Sequence, residues 1–203
     1  MFPSIGKRII YPPIFPSMDS ARILRLWKGA NDPWNEHLLA YRPDPAYNRY
    51  SNFQMVKGNN GSVNVPEHIR DTWWLLHNHP PLSISVASIM GFGAGGTPQA
   101  TSWENRVLLH SPQDVRLMAK RNIPLNEIII SNHRRVNSLQ IPEPLYANRL
   151  ADLLFERKPK TSNAVLDLFS QVNQEGGDVR FHSIPYEEHP LLSKWITLLK
   201  DLI

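Results

Sequence analysis

The chain has 203 residues, of which 41% are hydrophobic and 20% charged, so it can bury a core of ordinary size. The 22 Lys and Arg residues exceed the 18 Asp and Glu residues by little and are scattered, so no nucleic-acid partner is expected. The absence of cysteine excludes disulfides, thiolate zinc sites and a cysteine nucleophile. No apolar run is long enough to cross a bilayer, so we expect no membrane partner and a soluble, cytoplasmic protein. Delivery of the protein into another cell as an effector would leave no recognisable feature in the sequence.

Three regions follow one another along the chain. Residues 1–30 predict a proline-rich N-terminal arm that runs extended over the surface and ends in a short helix, 21–28. Residues 31–140 predict the core domain, and residues 141–203 predict a mainly helical C-terminal extension. We leave open whether this extension packs on the core or recruits a partner.

Strand-like and helical segments alternate in the core region, which predicts an α/β fold. A helix is expected from Ser111 to Arg121, where Ser-Pro precedes an amphipathic stretch. The segments predicted to form strands are 36–41, 51–57, 62–65, 73–76, 128–130 and 135–140. In the extension, helices are predicted at 145–156, 164–174 and 191–203, with a strand at 178–184.

Two histidines, His77 and His79, follow the apolar run Trp73-Trp74-Leu75-Leu76. Because they flank one residue, a strand directs both side chains to the same face, as metal ligands require. Zinc hydrolases need such imidazoles, a carboxylate and an open position for water. Histidines in this pattern are also common without a metal, so the pair alone does not distinguish metal ligands from ordinary surface or hydrogen-bonded histidines.

The carboxylate that completes such a site is Asp114, in the sequence Ser111-Pro112-Gln113-Asp114. This sequence is also a good helix start, with Ser as N-cap, Pro at the first helical position and an acid two residues later. The two interpretations are compatible, since the ligand would lie in that same first turn.

Taken in order, these residues resemble the JAMM (JAB/MPN) metallopeptidases, and among them the RadC-like branch. The family pattern is a glutamate on an early strand, then His-x-His-Pro, then Ser-x-x-Asp at a helix start. The chain has Glu36, His77-Asn78-His79-Pro80 and Ser111-Pro112-Gln113-Asp114. The resemblance extends to the glycine turn and Val-x-Val-Pro at 58–66 and to the isoleucine strand near 128–130.

This resemblance implies a JAMM/MPN-like fold, which is cytidine-deaminase-like: a mixed, curved sheet flanked by helices, with extra C-terminal helices. It also implies that His77, His79 and Asp114 bind Zn²⁺. Glu36 would be the general base, and Ser111 would donate a hydrogen bond to the oxyanion. Asp32, Glu67 and Glu104 are rivals of Glu36, but none of them opens a strand before the glycine turn.

The chain departs from the family in the spacing of the motif. Residues 80–113 separate the second histidine from the aspartate, where the family has a much shorter segment. The glycine-rich stretch 81–110 is therefore expected to be an insertion beside the site. Insertions of this kind cost little, because closure entropy rises only about 0.6 kcal/mol per doubling of loop length.

Three functions agree with these residues. The first is a zinc-dependent hydrolase of a peptide or isopeptide bond, with a ubiquitin-like tail as one candidate substrate. The second is a non-catalytic MPN-like scaffold or recognition module. The third is a RadC-like or toxin-like module whose substrate is unrelated to ubiquitin.

Overall fold

The computed structural model is mixed α/β. It describes residues 4–11, 35–47, 49–58, 63–65, 74–79, 112–121, 127–131, 135–189 and 193. Its centre is one six-stranded sheet with strand order β2-β1-β3-β4-β5-β6. The strands are β1 His37–Asp44, β2 Arg49–Lys57, β3 Trp74–His79, β4 Glu127–Ser131, β5 Arg135–Gln140 and β6 Arg180–Pro185.

One pair of strands, β3 and β4, is parallel, and every other neighbouring pair is antiparallel. A parallel pair needs a crossover connection, and helix α1, Pro112–Arg121, lies in the segment between these two strands. The sheet therefore contains one β-α-β unit at its centre. The carboxyl end of a parallel strand is where open α/β folds place their ligand sites.

Two further helices, α2 (Pro144–Arg157) and α3 (Ser162–Gln174), follow the sheet's fifth strand. Helix α2 begins with proline in its first turn and ends before Lys158, whose φ of 44° is left-handed. Helix α3 is capped by Thr161, whose hydroxyl accepts a 3.2 Å hydrogen bond from the Ala164 amide. These local signals explain why the two helices form as separate elements.

Both faces of the sheet are buried along β1 and β3. Leu38, Ala40 and Leu75 belong to a core that also includes apolar side chains of all three helices. Leu39 and Leu76, which point to the opposite face, are also inaccessible to solvent. Helices α2 and α3 therefore share one hydrophobic core with the sheet and α1.

The N-terminal segment 4–11 runs beside β6 and β5. Ile5 exchanges two backbone hydrogen bonds of 2.9 Å with Phe181. The side chain of Gln140 accepts a hydrogen bond from the amide of Ile10 and donates one to its carbonyl. Tyr11 reaches the Ser138 hydroxyl at 3.4 Å. These contacts hold residues 4–11 against the sheet, and the rest of the proline-rich arm lies outside the described residues.

Most of the predicted elements occur within a few residues of their expected ends, but one strand does not. Residues 63–65 of the predicted strand 62–65 have no strand pairing, although Val65 is buried. The alternation of Val63 and Val65 therefore reports burial of two side chains rather than membership of the sheet. The predicted helix 21–28 lies outside the described residues, as does the helix 191–203 apart from residue 193. Among the described helices, none is long and apolar enough to span a bilayer.

Candidate metal centre

His77 lies near the carboxyl end of β3, at the centre of the sheet. The strand extends through His79, three residues beyond the apolar run that predicted it. The His77 side chain is only 3% exposed. Because β4 runs parallel to β3, the carboxyl ends of these two strands lie together, and this is where open α/β folds place functional groups.

Glu36 immediately precedes β1, the antiparallel neighbour of β3. Leu38 pairs with His77, so the same register continued by two residues brings the Glu36 backbone alongside His79. The Glu36 carbonyl accepts a 2.8 Å hydrogen bond from the Gly58 amide, which fixes this position against the chain leaving β2. Strand alternation places positions 36, 77 and 79 on one face of the sheet.

Asp114 reaches the same face from the first turn of α1. Its Oδ2 atom lies 3.9 Å from Nε2 of His77, and its side chain is 23% exposed. The helix begins at Pro112, so Asp114 occupies the first turn, as both the capping and the ligand interpretations predict. The carboxylate is thus held near a buried imidazole by a helix that packs on the sheet.

A small pocket opens where His77 and Asp114 meet. Its apolar wall consists of Leu38, Val63, Val65, Leu75 and Leu117, and His77 and Asp114 supply its polar side. Two donor atoms bound at 2.0–2.2 Å to one tetrahedral ion lie roughly 3.4 Å apart. The observed 3.9 Å is close to that separation, and imidazole nitrogen with carboxylate oxygen is a donor set that zinc prefers. This pair therefore fits a zinc ion after a small side-chain adjustment.

The remaining members of the predicted constellation are described in part or not at all. For His79 the structure describes the backbone position, and Ser111 lies outside the described residues. Asp32, Glu67 and Glu104, the rivals of Glu36, also lie outside them. Within the described part of the chain, no group of three or more His, Asp or Glu side chains is assembled for a metal. The described centre consists of the His77–Asp114 pair, with Glu36 at the adjacent strand end.

One contact joins α1, the helix that carries Asp114, to α2, and the sequence contains no local sign of it. Arg116, two residues after Asp114, forms an ion pair with Asp152, and its guanidinium lies 4.3 Å from the centre of the Phe155 ring. The partners are 36 residues apart for the ion pair. Pairs on different helices have no fixed spacing, so a helical periodicity within one segment cannot reveal them.

A second buried polar cluster lies on β5 and was not assigned a function from the sequence. His189 is fully buried, its Nε2 lies 3.2 Å from the Ser138 hydroxyl, and its ring contacts Tyr11 edge-on at 4.8 Å. Burial, with a smaller effect from His182, lowers the pKa of His189 to about 3. The imidazole is therefore neutral near pH 7 and joins the N-terminal segment to the sheet.

No family model matches this chain, and the searches found no similar curated protein and no similar solved structure. The resemblance to the JAMM metallopeptidases therefore depends on the motif residues of the sequence alone.

Proposed function

We propose that the chain is a JAMM-type zinc metallopeptidase that hydrolyses a peptide or isopeptide bond. The observation that carries the proposal is the 3.9 Å approach of Asp114 to the buried His77 at the carboxyl end of β3. The position of Glu36 at the adjacent strand end supports it. Residues 77 and 114 are distant in the sequence, yet the β3-α1-β4 crossover brings them to one point.

His77 and Asp114 would hold the ion, with His79 as the third ligand from the same strand face. Zinc bound there would polarise the scissile carbonyl and lower the pKa of water to about 7. Glu36 would accept the proton of the attacking water and deliver it to the nitrogen of the leaving amine, which departs neutral. Ser111 would donate a hydrogen bond to the carbonyl oxygen as negative charge develops on it.

The substrate proposed is a protein or peptide, with a ubiquitin-like tail on a lysine as one candidate. The pocket lies at the carboxyl end of β3, where open α/β folds place their ligand sites, so the scissile bond would be bound there. The site fixes the reaction class, and the surrounding loops select the substrate.

Metal content tests the proposal directly. Purified protein should contain about one zinc per chain by elemental mass spectrometry, and Asp114→Ala should lose it. Asp167→Ala, which removes an exposed carboxylate from α3, is the matched control and should retain zinc. Absence of zinc from the wild-type protein, even after incubation with the ion, would leave Asp114 as a helix-capping residue and refute the proposal.

A further inference from the structure

We infer that Arg116 is a positioning residue for Asp114, and that it acts by clamping α1 to α2. The inference rests on the proposed zinc site, because it concerns how one ligand of that site is held. Arg116 pairs with Asp152 of α2 and lies against the Phe155 ring of the same helix.

Asp114 and Arg116 lie on opposite flanks of the same helix. Residues two apart in an α-helix are separated by about 200° around its axis. Between them, toward the sheet, lie Val115 and Ala119, which are 0% and 6% exposed and form the buried ridge of α1. Asp114 faces His77 on one side of this ridge, and Arg116 faces α2 on the other.

This arrangement couples the two flanks mechanically. A helix that rests on an apolar ridge can roll about it, since apolar contacts are not directional. A roll of about 10° moves an atom ~5–6 Å from the helix axis by about 1 Å. Zinc–ligand distances tolerate only ~0.2 Å, so a small roll would move Asp114 away from a productive position.

Arg116 opposes this roll in two ways. Its ion pair with Asp152 fixes the end of the side chain, and the guanidinium over the Phe155 ring adds a cation–π contact. Both partners belong to α2, whose Leu150, Leu153 and Leu154 are buried in the shared core. Helix α2 thereby stabilises the orientation of the proposed metal ligand.

Zinc affinity of the full chain, measured by competition with a chromophoric chelator, tests the inference. Arg116→Met and Asp152→Asn should each weaken zinc binding by about threefold to tenfold. This loss lies between the small effect of removing an exposed ion pair and the larger effect of removing a group that hydrogen-bonds to a metal ligand. The double variant should be no weaker than the worse single variant, because both changes break the same contact. Arg116→Lys should recover part of the loss.

The control is Arg149→Met. Arg149 is about as exposed as Arg116 and also forms an ion pair, but its partner is Glu175, which follows α3, rather than a residue of α1. The Arg149→Met variant should bind zinc with an affinity within twofold of that of the wild type. The cobalt-substituted protein gives a second readout, since its visible absorption reports ligand geometry: the spectrum should change in Arg116→Met and stay unchanged in Arg149→Met.

The outcomes separate the inference from the proposed function. If the wild type binds zinc and Arg116→Met binds it equally well, or loses no more affinity than Arg149→Met, the positioning role is wrong while the zinc site stands. If the wild-type chain binds no zinc, both the proposed function and the positioning role are overturned.

Discussion

The Nε2 atom of His77 lies 3.9 Å from Oδ2 of Asp114, although 36 residues separate the two side chains in the sequence. His77 comes from the centre of the sheet and Asp114 from the helix that crosses over it. An imidazole buried on an apolar strand and a half-buried carboxylate at a helix start form a pair suited to share one cation.

The first prediction is that zinc stabilises the folded chain through this pair. A ligand that binds the native state alone stabilises it by about 2.7 kcal/mol when present at 100 times its Kd. The midpoint of thermal unfolding should therefore rise with added zinc in the wild type. His77→Ala should show no such rise, whereas an equal rise in both proteins would place the zinc elsewhere.

The second prediction separates metal binding from proton transfer. Glu36→Gln should keep about one zinc per chain but lose hydrolysis, because the amide cannot accept a proton from water. A loss of about 100-fold or more in kcat is expected for a general base. Glu187→Gln, a change at an exposed glutamate just after β6, should leave the rate unchanged. Full activity in Glu36→Gln would show that another group is the base.

The central elements were predicted well from the sequence where the spacing of apolar residues and the turn or capping residues indicate the same element. The helix predicted at 164–174 is observed at Ser162–Gln174, and the apolar run at 73–76 marked the strand that carries His77. Both segments are long or strongly apolar and are bounded by turn residues or a cap, so local preference and packing favour the same structure.

The prediction of a strand at 62–65 was wrong for a physical reason. Alternating valines indicate that one side of an extended segment is buried, but they do not show that its backbone pairs with a neighbouring strand. Val65 is buried and Val63 lines the pocket beside His77, without strand pairing at residues 63–65. Likewise, nothing local marks the contact between Arg116 and Asp152, because it depends on how two helices pack.

The third prediction concerns pH and the buried His189. Its pKa is about 3 in the folded chain, against about 6.5 when unfolded, so between these values the unfolded state binds the extra proton. Stability should therefore be lost as the pH falls from about 6.5 toward 3, and it should be fully present above that window. His182, whose pKa is also lowered by burial, acts in the same direction.

Urea unfolding at several pH values, in the absence of zinc, measures this effect. The free energy of unfolding of the wild type should fall steadily between pH 6.5 and 4. His189→Gln keeps a group that can hydrogen-bond to Ser138 but does not titrate, so its curve should be flatter across the same range. Parallel curves for the two proteins would contradict the assignment of the effect to His189.

The fourth prediction tests how the N-terminal segment is attached. Gly6 has a φ of 73°, and a Cβ atom at this position would lie 2.1 Å from the Val179 carbonyl oxygen. That oxygen is fixed, since the Asn173 amide donates a 2.9 Å hydrogen bond to it while accepting one from the Val179 amide. Gly6→Ala must therefore displace the segment and weaken the Ile5–Phe181 pairing, at a cost of about 1–3 kcal/mol.

Lys7→Ala removes only an exposed ion pair with Asp178 and should cost less than about 1 kcal/mol. Urea unfolding distinguishes the two variants, and hydrogen exchange should show faster loss of the Ile5 amide proton in Gly6→Ala alone. Unchanged protection of Ile5 in that variant would mean that the chain accommodates a Cβ at position 6 without releasing the segment.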